Sequence, residues 1–167
     1  MYDELTAKDI EKMRAELDDR IVNQRPVLIA EVKRCREFGD LSENFEYKEA
    51  KRAKNRNESR IRYLQNMIKT AKIIEDKSDD DTVGLYDKVG IYLEEDDETE
   101  YYQVVTTVRT DPFSGFISKE SPMGKVILGK KVGDRVKITV NESYSYYAVI
   151  KSIEKGEDDG TAKLNQY

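Results

Sequence analysis

The feature that most constrains this chain is a long run of helical periodicity in its first half. Between Thr6 and Asp76 the sequence contains one glycine, Gly39, and one proline, Pro26. Apolar side chains recur there at spacings of three and four, which is the period of a seam between two paired helices. Pro26 removes one backbone donor and predicts a kink or a restart in the first arm. The seam positions are Ile10, Met13, Leu17, Ile21, Leu28, Val32, Cys35, Ala50, Ala53, Leu64, Met67, Ala71 and Ile74.

A turn divides this run at residues 39–42. Gly39 suits a left-handed position after a helix, and Asp40 or Ser42 suits the N-cap of the next helix. The pattern therefore predicts a long antiparallel helical hairpin over residues 1–76, with its tip at residues 39–44. At a rise of 1.5 Å per residue, each arm is roughly 45 Å long. Cys35 falls on the seam and is expected in its core.

The second half of the chain changes to the period of strands. Residues 77–87 begin with a charged run and are predicted as a linker. Strand-like runs rich in Val, Ile, Tyr and Thr follow, and Pro122 suits the first position of a short helix. The fold class is therefore α+β, with the hairpin followed by a β-rich domain at 88–155 and a flexible tail at 156–167. The predicted strands are 88–93, 100–107, 135–140 and 145–153.

The residue types that are missing exclude several functions. The chain has no histidine and one cysteine, which excludes Ser-His-Asp and Cys-His catalysis, histidine-ligated metal sites and an intramolecular disulfide. The acidic N-terminus lacks the apolar segment of a secretory signal, and no apolar run is long enough to span a membrane. A cytoplasmic protein without membrane contact is expected.

Charge is distributed unevenly along the chain. Residues 31–62 carry ten basic and seven acidic side chains, whereas residues 75–100 carry two basic and twelve acidic ones. A basic hairpin end on an acidic chain indicates a negatively charged partner, such as nucleic acid.

Two carboxylates at the tip, Asp40 and Glu43, allow two interpretations. At a spacing of three, they fit a capping box at the start of the second helix. Alternatively, they fit a Mg²⁺ site, because Mg²⁺ is commonly held by one or two carboxylates together with water and phosphate oxygens. Two carboxylates alone hold Mg²⁺ poorly, so they would complete a site that another protein half-builds. Leu41 between them hints at a contact.

A basic flank next to the tip also allows two interpretations. It is either an ordinary solvated helix face or a patch that follows a phosphate backbone, with Tyr47 or Phe45 stacking on a base. The flank consists of Arg34, Arg36, Lys48, Lys51, Arg52, Lys54 and Arg56.

The tip sequence resembles a known motif. Residues 39–44, which read GDLSEN, and the following Glu46-Tyr47 are similar to the GDLxENxEY motif of the bacterial Gre factors, and closer to GreA than to GreB. These are transcript-cleavage elongation factors of RNA polymerase. The similarity extends to about residue 153 through Leu5-Thr6, residues 11–17, Arg25-Pro26, and the run SPMGKVILGKKVGD at 121–134, which resembles SPxGKxLxGKxxGD.

The resemblance implies a fold, a partner and site residues. The C-terminal domain would be FKBP-like and dock on the rim of the secondary channel of bacterial RNA polymerase, while the hairpin enters the channel as a monomer. Asp40 and Glu43 would help to hold the second Mg²⁺ of the polymerase. The protein would have no cofactor of its own and would not be an enzyme, since the polymerase hydrolyses its backtracked RNA. The remaining implied roles are tip support by Leu41, Ser42, Asn44 and Tyr47, contact with the nascent RNA 3′ end by Arg36, Lys51 and Arg52, and docking by Ser121, Pro122 and Met123.

Three features depart from the family pattern. Phe45 stands where the family usually has alanine, Asn57 stands where it has a large apolar residue, and the tail extends past the usual end. Asn57 is expected to loosen the seam. A second hypothesis therefore remains open, namely a regulator of the same fold that binds polymerase without inducing cleavage. A coiled-coil adaptor and a prolyl isomerase fit the sequence less well, because the motifs span nearly the whole chain and no aromatic proline pocket is evident.

Overall fold

The computed structural model describes residues 2–39 and 44–166. The chain divides into two compact units, of which the first contains Asp9–Lys72 and the second contains Glu4–Lys8 and Ile73–Gln166. The α+β class predicted from the sequence is confirmed. The helices are α1 (Ala7–Asp19), α2 (Arg25–Arg36), α3 (Phe45–Thr70) and α4 (Pro122–Ile127). The strands are β1 (Glu4–Leu5), β2 (Lys72–Ile73), β3 (Lys88–Leu93), β4 (Glu98–Val105), β5 (Phe116–Ser118), β6 (Arg135–Thr139) and β7 (Ser145–Glu154).

The first unit is a helical hairpin in which α2 packs against α3. The predicted seam supplies most of its buried apolar side chains, because residues three and four apart share one face of a helix. Ile61 is buried as well, although it is absent from the predicted seam. The buried members of the predicted seam are Met13, Val32, Cys35, Ala50, Leu64 and Met67.

The first arm is interrupted before Pro26, as its proline predicts. Residues Arg20–Gln24 form a π-helical turn, in which the Arg25 N–H donates to the Arg20 carbonyl five residues earlier. In a regular α-helix the proline ring would clash with the carbonyl four residues before it. A wider turn at this point removes that clash and lets α2 restart with Pro26 in its first turn.

The second unit is built on a five-stranded sheet with the order β5-β4-β3-β7-β6. All neighbouring strands are antiparallel except β4 and β5. Alternate residues of β3, Val89, Ile91 and Leu93, are buried on the face that packs against Ile127 of α4. The four predicted strands are all present, although β4 starts and ends two residues earlier than predicted. The short β5 was not predicted.

The predicted linker at residues 77–87 lies inside the second unit. Val83, Leu85 and Tyr86 are buried in its core. Asp87 is also fully buried, and its carboxylate accepts hydrogen bonds from the Gly84 N–H at 2.7 Å, the Gly156 N–H at 2.9 Å and the Lys155 ammonium at 2.7 Å. These bonds fix a segment whose charge alone indicated a solvated linker.

The tail after residue 155 also differs from the expected flexible segment. Arg109 is fully buried, and its guanidinium donates to the Asp158 carboxylate at 2.7 Å and to the Ala162 carbonyl at 2.6 Å. The Asn165 N–H donates to the Val108 carbonyl at 2.8 Å. A buried guanidinium requires such partners, so the described part of the tail belongs to the fold of the second unit.

Candidate functional site

The two helices of the hairpin are joined at the tip by Asn44. Its side-chain oxygen accepts from the Tyr47 N–H at 3.0 Å, which caps the first turn of α3, and its amide donates to the Cys35 carbonyl at 2.8 Å near the end of α2. The N-cap predicted at Asp40 or Ser42 is therefore wrong. Asp, Ser and Asn cap helices about equally well, and the additional bond to Cys35 distinguishes Asn44.

The segment that Asn44 closes contains the candidate acids. Asp40, Leu41, Ser42 and Glu43 lie outside the described residues, so the roles predicted for them stay predictions. Gly39 immediately before them has a φ of +109°, which favours glycine as expected. Because Asn44 caps α3, the interpretation of Asp40 and Glu43 as its capping box loses its main argument.

The predicted RNA-contacting cations have different surroundings. The Arg36 guanidinium lies 5.7 Å from the ring centroid of Tyr47, so the structure brings these two candidates together. Arg52 forms a 2.6 Å ion pair with Glu49 on its own helix, with both side chains mostly exposed. Such exposed pairs are weak, so Arg52 can exchange Glu49 for another anion. Lys51 is exposed on α3.

Two exposed phenylalanines flank the tip, and the sequence pointed to only one of them, Phe45. Phe38, just after α2, is 62% exposed, and Phe45, the first residue of α3, is 80% exposed. The Arg34 guanidinium lies 5.2 Å from the Phe38 ring centroid, and the Lys48 ammonium lies 5.7 Å from that of Phe45. Both rings therefore combine an open apolar surface with a neighbouring positive charge.

The single cysteine belongs to the core of the hairpin, as predicted. Cys35 is 1% exposed and packs with Val32 and Ala50. Desolvation and the nearby Glu31 carboxylate raise the pKa of its thiol, which keeps it protonated and weakly nucleophilic.

A polar network crosses the seam between α1 and α3. The Glu16 carboxylate accepts from Arg60 through Nε at 2.8 Å and Nη2 at 3.1 Å, and from Arg20 Nε at 2.8 Å. Burial alone would raise the pKa of Glu16, but the hydrogen bonds and charges of the two arginines lower it below 4.5. The sequence did not predict this network. The sequence shows only that Glu16, Arg20 and Arg60 carry opposite charges and lie close to the predicted seam. It does not define which residues of the two helices face each other across that seam.

Asn57 belongs to the same network and does not leave a gap in the seam. It is 4% exposed, and its oxygen accepts from Arg20 Nη1 at 2.9 Å. Its amide donates to the Arg20 carbonyl at 3.3 Å. A buried amide with both of its ends bonded costs far less than an unpaired one. The loosening expected at Asn57 is thus replaced by a bonded contact with the π-turn.

The candidate docking residues lie at the start of α4 but are not equally accessible. The Ser121 hydroxyl caps α4 by accepting from the Gly124 N–H at 3.0 Å, and it donates to the Ser118 carbonyl at 2.6 Å. Met123 packs against the core of the second unit, whereas Pro122 is exposed. A Cβ on Gly124 would lie 2.1 Å from the Ser118 oxygen, which explains the glycine of this motif.

Within residues 2–39 and 44–166, no group of three or more His, Cys, Asp and Glu side chains could hold a metal ion. In the same residues, no helix combines the length and apolar character needed to cross a membrane.

Comparison with known sequences assigns both parts of the chain to one class of protein, the transcription elongation factors. The family model described as "Transcription elongation factor, N-terminal" matches residues 4–73, and the model described as "Transcription elongation factor, GreA/GreB, C-term" matches residues 77–155. Together they cover most of the chain. The chain therefore belongs to the GreA/GreB family of transcription elongation factors.

Two GreA sequences agree with this assignment. The transcription elongation factor GreA of Oenococcus oeni is 40% identical over 154 residues, covering 92% of this chain and 95% of the relative. GreA of Mesoplasma florum is 41% identical over 143 residues, covering 84% and 92%. Among solved structures, Gfh1 (GreA factor homolog 1) of Thermus thermophilus is 24% identical with a TM-score of 0.43, covering 93% of this chain and all of that one.

Proposed function

We propose that this elongation factor inserts its hairpin into the secondary channel of bacterial RNA polymerase and stimulates the polymerase to hydrolyse backtracked RNA. The observation that carries the proposal is the pair of bonds made by Asn44. They cap α3 and tie it to Cys35 without using an acid of the tip. The N-cap of α3 is therefore Asn44, and Asp40 and Glu43 are not required for that position.

The chemistry of the two acids suits a shared Mg²⁺ site. Carboxylate oxygens are the ligands that Mg²⁺ prefers in proteins, and a pair of carboxylates leaves the remaining positions to water, phosphate and the polymerase. A Mg²⁺ held there would supply an activated water and stabilise charge on the phosphate undergoing displacement. Asp40 and Glu43 would hold that ion and orient its water by accepting hydrogen bonds, so this protein would assist a reaction that takes place in the polymerase.

The other candidate residues position the RNA and the polymerase. Arg36 beside Tyr47, together with Lys51 and Arg52, supplies positive charge for the RNA phosphates near its 3′ end. Exposed Pro122 offers the docking contact to the polymerase, and Ser121 holds the start of α4 in shape for it. In this proposal the hairpin acts on the backtracked RNA, and the β domain binds the polymerase.

The test measures release of RNA fragments from a halted, backtracked elongation complex in Mg²⁺. The wild type is compared with D40A, E43A and, as a matched control, E37A, which removes an exposed carboxylate near the tip. We expect fast release with wild type and E37A, and none with D40A or E43A, while all four proteins compete equally for polymerase. If D40A and E43A lose helical content and polymerase binding in proportion to cleavage, the acids are structural and the proposal is wrong.

The second candidate is a regulator that occupies the channel without inducing cleavage. Phe45 favours it, because a ring that is 80% exposed adds bulk at the tip where the family usually has alanine. This function predicts that wild type releases no RNA but still displaces a cleaving Gre factor. If F45A then restored release, the ring itself would be the reason for inactivity.

A further inference from the structure

The exposed rings at the end of the hairpin are not explained by folding. Phe45 is 80% exposed and Phe38 is 62% exposed, so neither contributes much apolar burial. Phenylalanine is also a weaker helix former than alanine, and Phe45 occupies the first position of α3. A large apolar side chain that buries little surface at a helix end is a candidate for contact with a partner.

Exposure alone does not single out these two residues. Val22, Val27 and Ile29 are also exposed on the first arm of the hairpin, and scattered surface apolar side chains are ordinary. The two phenylalanines differ because each has a cation beside its ring, Arg34 at 5.2 Å and Lys48 at 5.7 Å. Each ring therefore has a cation beside it, while most of its side chain stays exposed.

The charge around the rings indicates what the partner is. Residues 31–56 carry eight basic side chains against six acidic ones, and two of those acids, Asp40 and Glu43, are the ones proposed to bind Mg²⁺. Open aromatic rings within a positively charged surface are the common elements of proteins that bind single-stranded nucleic acid, since every base has a face that stacks. A purely apolar wall of a partner protein would gain nothing from the cations.

We propose that Phe45, supported by Phe38, Arg34 and Lys48, forms a stacking surface for an unpaired base of the backtracked RNA. This inference rests on the proposed function for bringing the RNA to the tip, and it assigns to Phe45 a contact beyond the carboxylates and the basic flank. The ring stacks on the base while Lys48 and Arg34 face the adjacent phosphates. Arg34 is already paired with Glu31 at 2.6 Å, so Lys48 is the more available cation.

The test compares F45A and F45W with the wild-type full chain in backtracked complexes whose RNA ends in a purine or a pyrimidine. The matched control is F113A, which removes another fully exposed phenylalanine, in the second unit. We expect F45A at saturating factor to slow release about tenfold, which corresponds to about 1.4 kcal/mol. The loss is larger for the purine-ended RNA, F45W restores the rate, and F113A has no effect.

Two outcomes would overturn the stacking surface. One is release by F45A at the wild-type rate on both RNAs. The other is an equal loss for all terminal bases with a raised half-saturating concentration of factor, which would instead indicate that Phe45 contacts the polymerase protein.

A second measurement keeps the inference separate from the proposed function. If wild type releases no RNA, the cleavage proposal fails, and the contact is judged by photo-crosslinking from a thiouridine at the RNA 3′ end. A crosslink on the peptide containing Phe45 that disappears in F45A supports stacking. Crosslinks elsewhere only, or none, refute it.

Discussion

Replacing Glu16 with glutamine tests how the polar network stabilises the hairpin. The substitution keeps the size of the side chain but removes the charge that partners Arg60, whose side chain is 7% exposed, and Arg20, whose side chain is 19% exposed. Removing one partner of a buried ion pair typically costs about 3–5 kcal/mol. Arg20 can recover water and glutamine keeps one acceptor, so we expect about 2–4 kcal/mol for this site.

Hydrogen exchange in the intact 167-residue chain measures this cost in the hairpin itself. If the free energy of opening α3 falls by about 2–4 kcal/mol, its amides exchange about 30- to 700-fold faster, because each 1.4 kcal/mol is a factor of ten. Amides of β3 and β7 in the second unit serve as the internal reference and should not change. Unchanged exchange in α3, or an equal change in both units, would refute the assignment of the network to hairpin stability.

A double substitution distinguishes the net contribution of the ion pair to stability from the cost of leaving one of its charges unpaired. In Glu16→Leu with Arg60→Leu, both charges disappear and apolar side chains fill the seam. Such replacements are often neutral or stabilising, so the double variant should exchange more slowly than E16Q. If amide exchange in the double variant is as fast as in E16Q, the ion pair stabilises the hairpin by more than its two charges compensating each other's burial.

Acid provides an independent check on the same carboxylate. The arginines hold the pKa of Glu16 in the folded protein below the 4.5 of an unperturbed glutamate. A group with a depressed folded pKa contributes stability that is fully present above its unfolded value and lost as pH falls through the folded value. Opening of α3 should therefore become easier below about pH 4.5, with a weaker pH dependence in E16Q than in wild type.

Three further substitutions test contacts at other places. Asn44→Ala removes the cap of α3 and should cost about 1 kcal/mol, seen as faster exchange in the first turn of α3 and slower RNA release at unchanged affinity for polymerase. Asp158→Asn leaves the buried Arg109 without its carboxylate and should lower stability by about 3 kcal/mol, measured by urea unfolding of the second unit. Lys155→Met removes the ammonium from the buried Asp87 and should speed amide exchange in residues 78–84, whereas stable amides there would show that the backbone donors to Asp87 suffice.

The regular elements could be predicted because their patterns are local. The seam of the hairpin and the β3 boundaries follow from periodicity and from the polar residues that flank each run. The break before Pro26 follows from the missing N–H of one residue. The strand β5 escaped prediction because three residues are too few to show alternation, and its pairing with β4 is determined by the sheet.

The contacts that could not be predicted join residues far apart in sequence. Any of Asp40, Ser42 and Asn44 could cap α3 by local preference, and the deciding bond reaches back nine residues to Cys35. The same holds for Arg109, which could have paired with many acids and selects Asp158 through a separation of 49 residues. The polar composition of that tail predicted a flexible segment. Composition does not show that a distant buried group, here Arg109, requires a charged partner.

At the π-turn, an irregular stretch of one helix and a polar residue of the other satisfy each other. Asn57 is an unfavourable residue for a seam when α3 is considered alone, and a suitable one when the Arg20 carbonyl and guanidinium face it. The π-turn that precedes Pro26 contains Arg20, so the irregularity of one helix and the polar residue of the other meet in one set of bonds. A polar residue in a predicted helix seam can therefore be the hydrogen-bonding partner of an irregular turn that a proline causes in the facing helix. It is then not a defect in the packing.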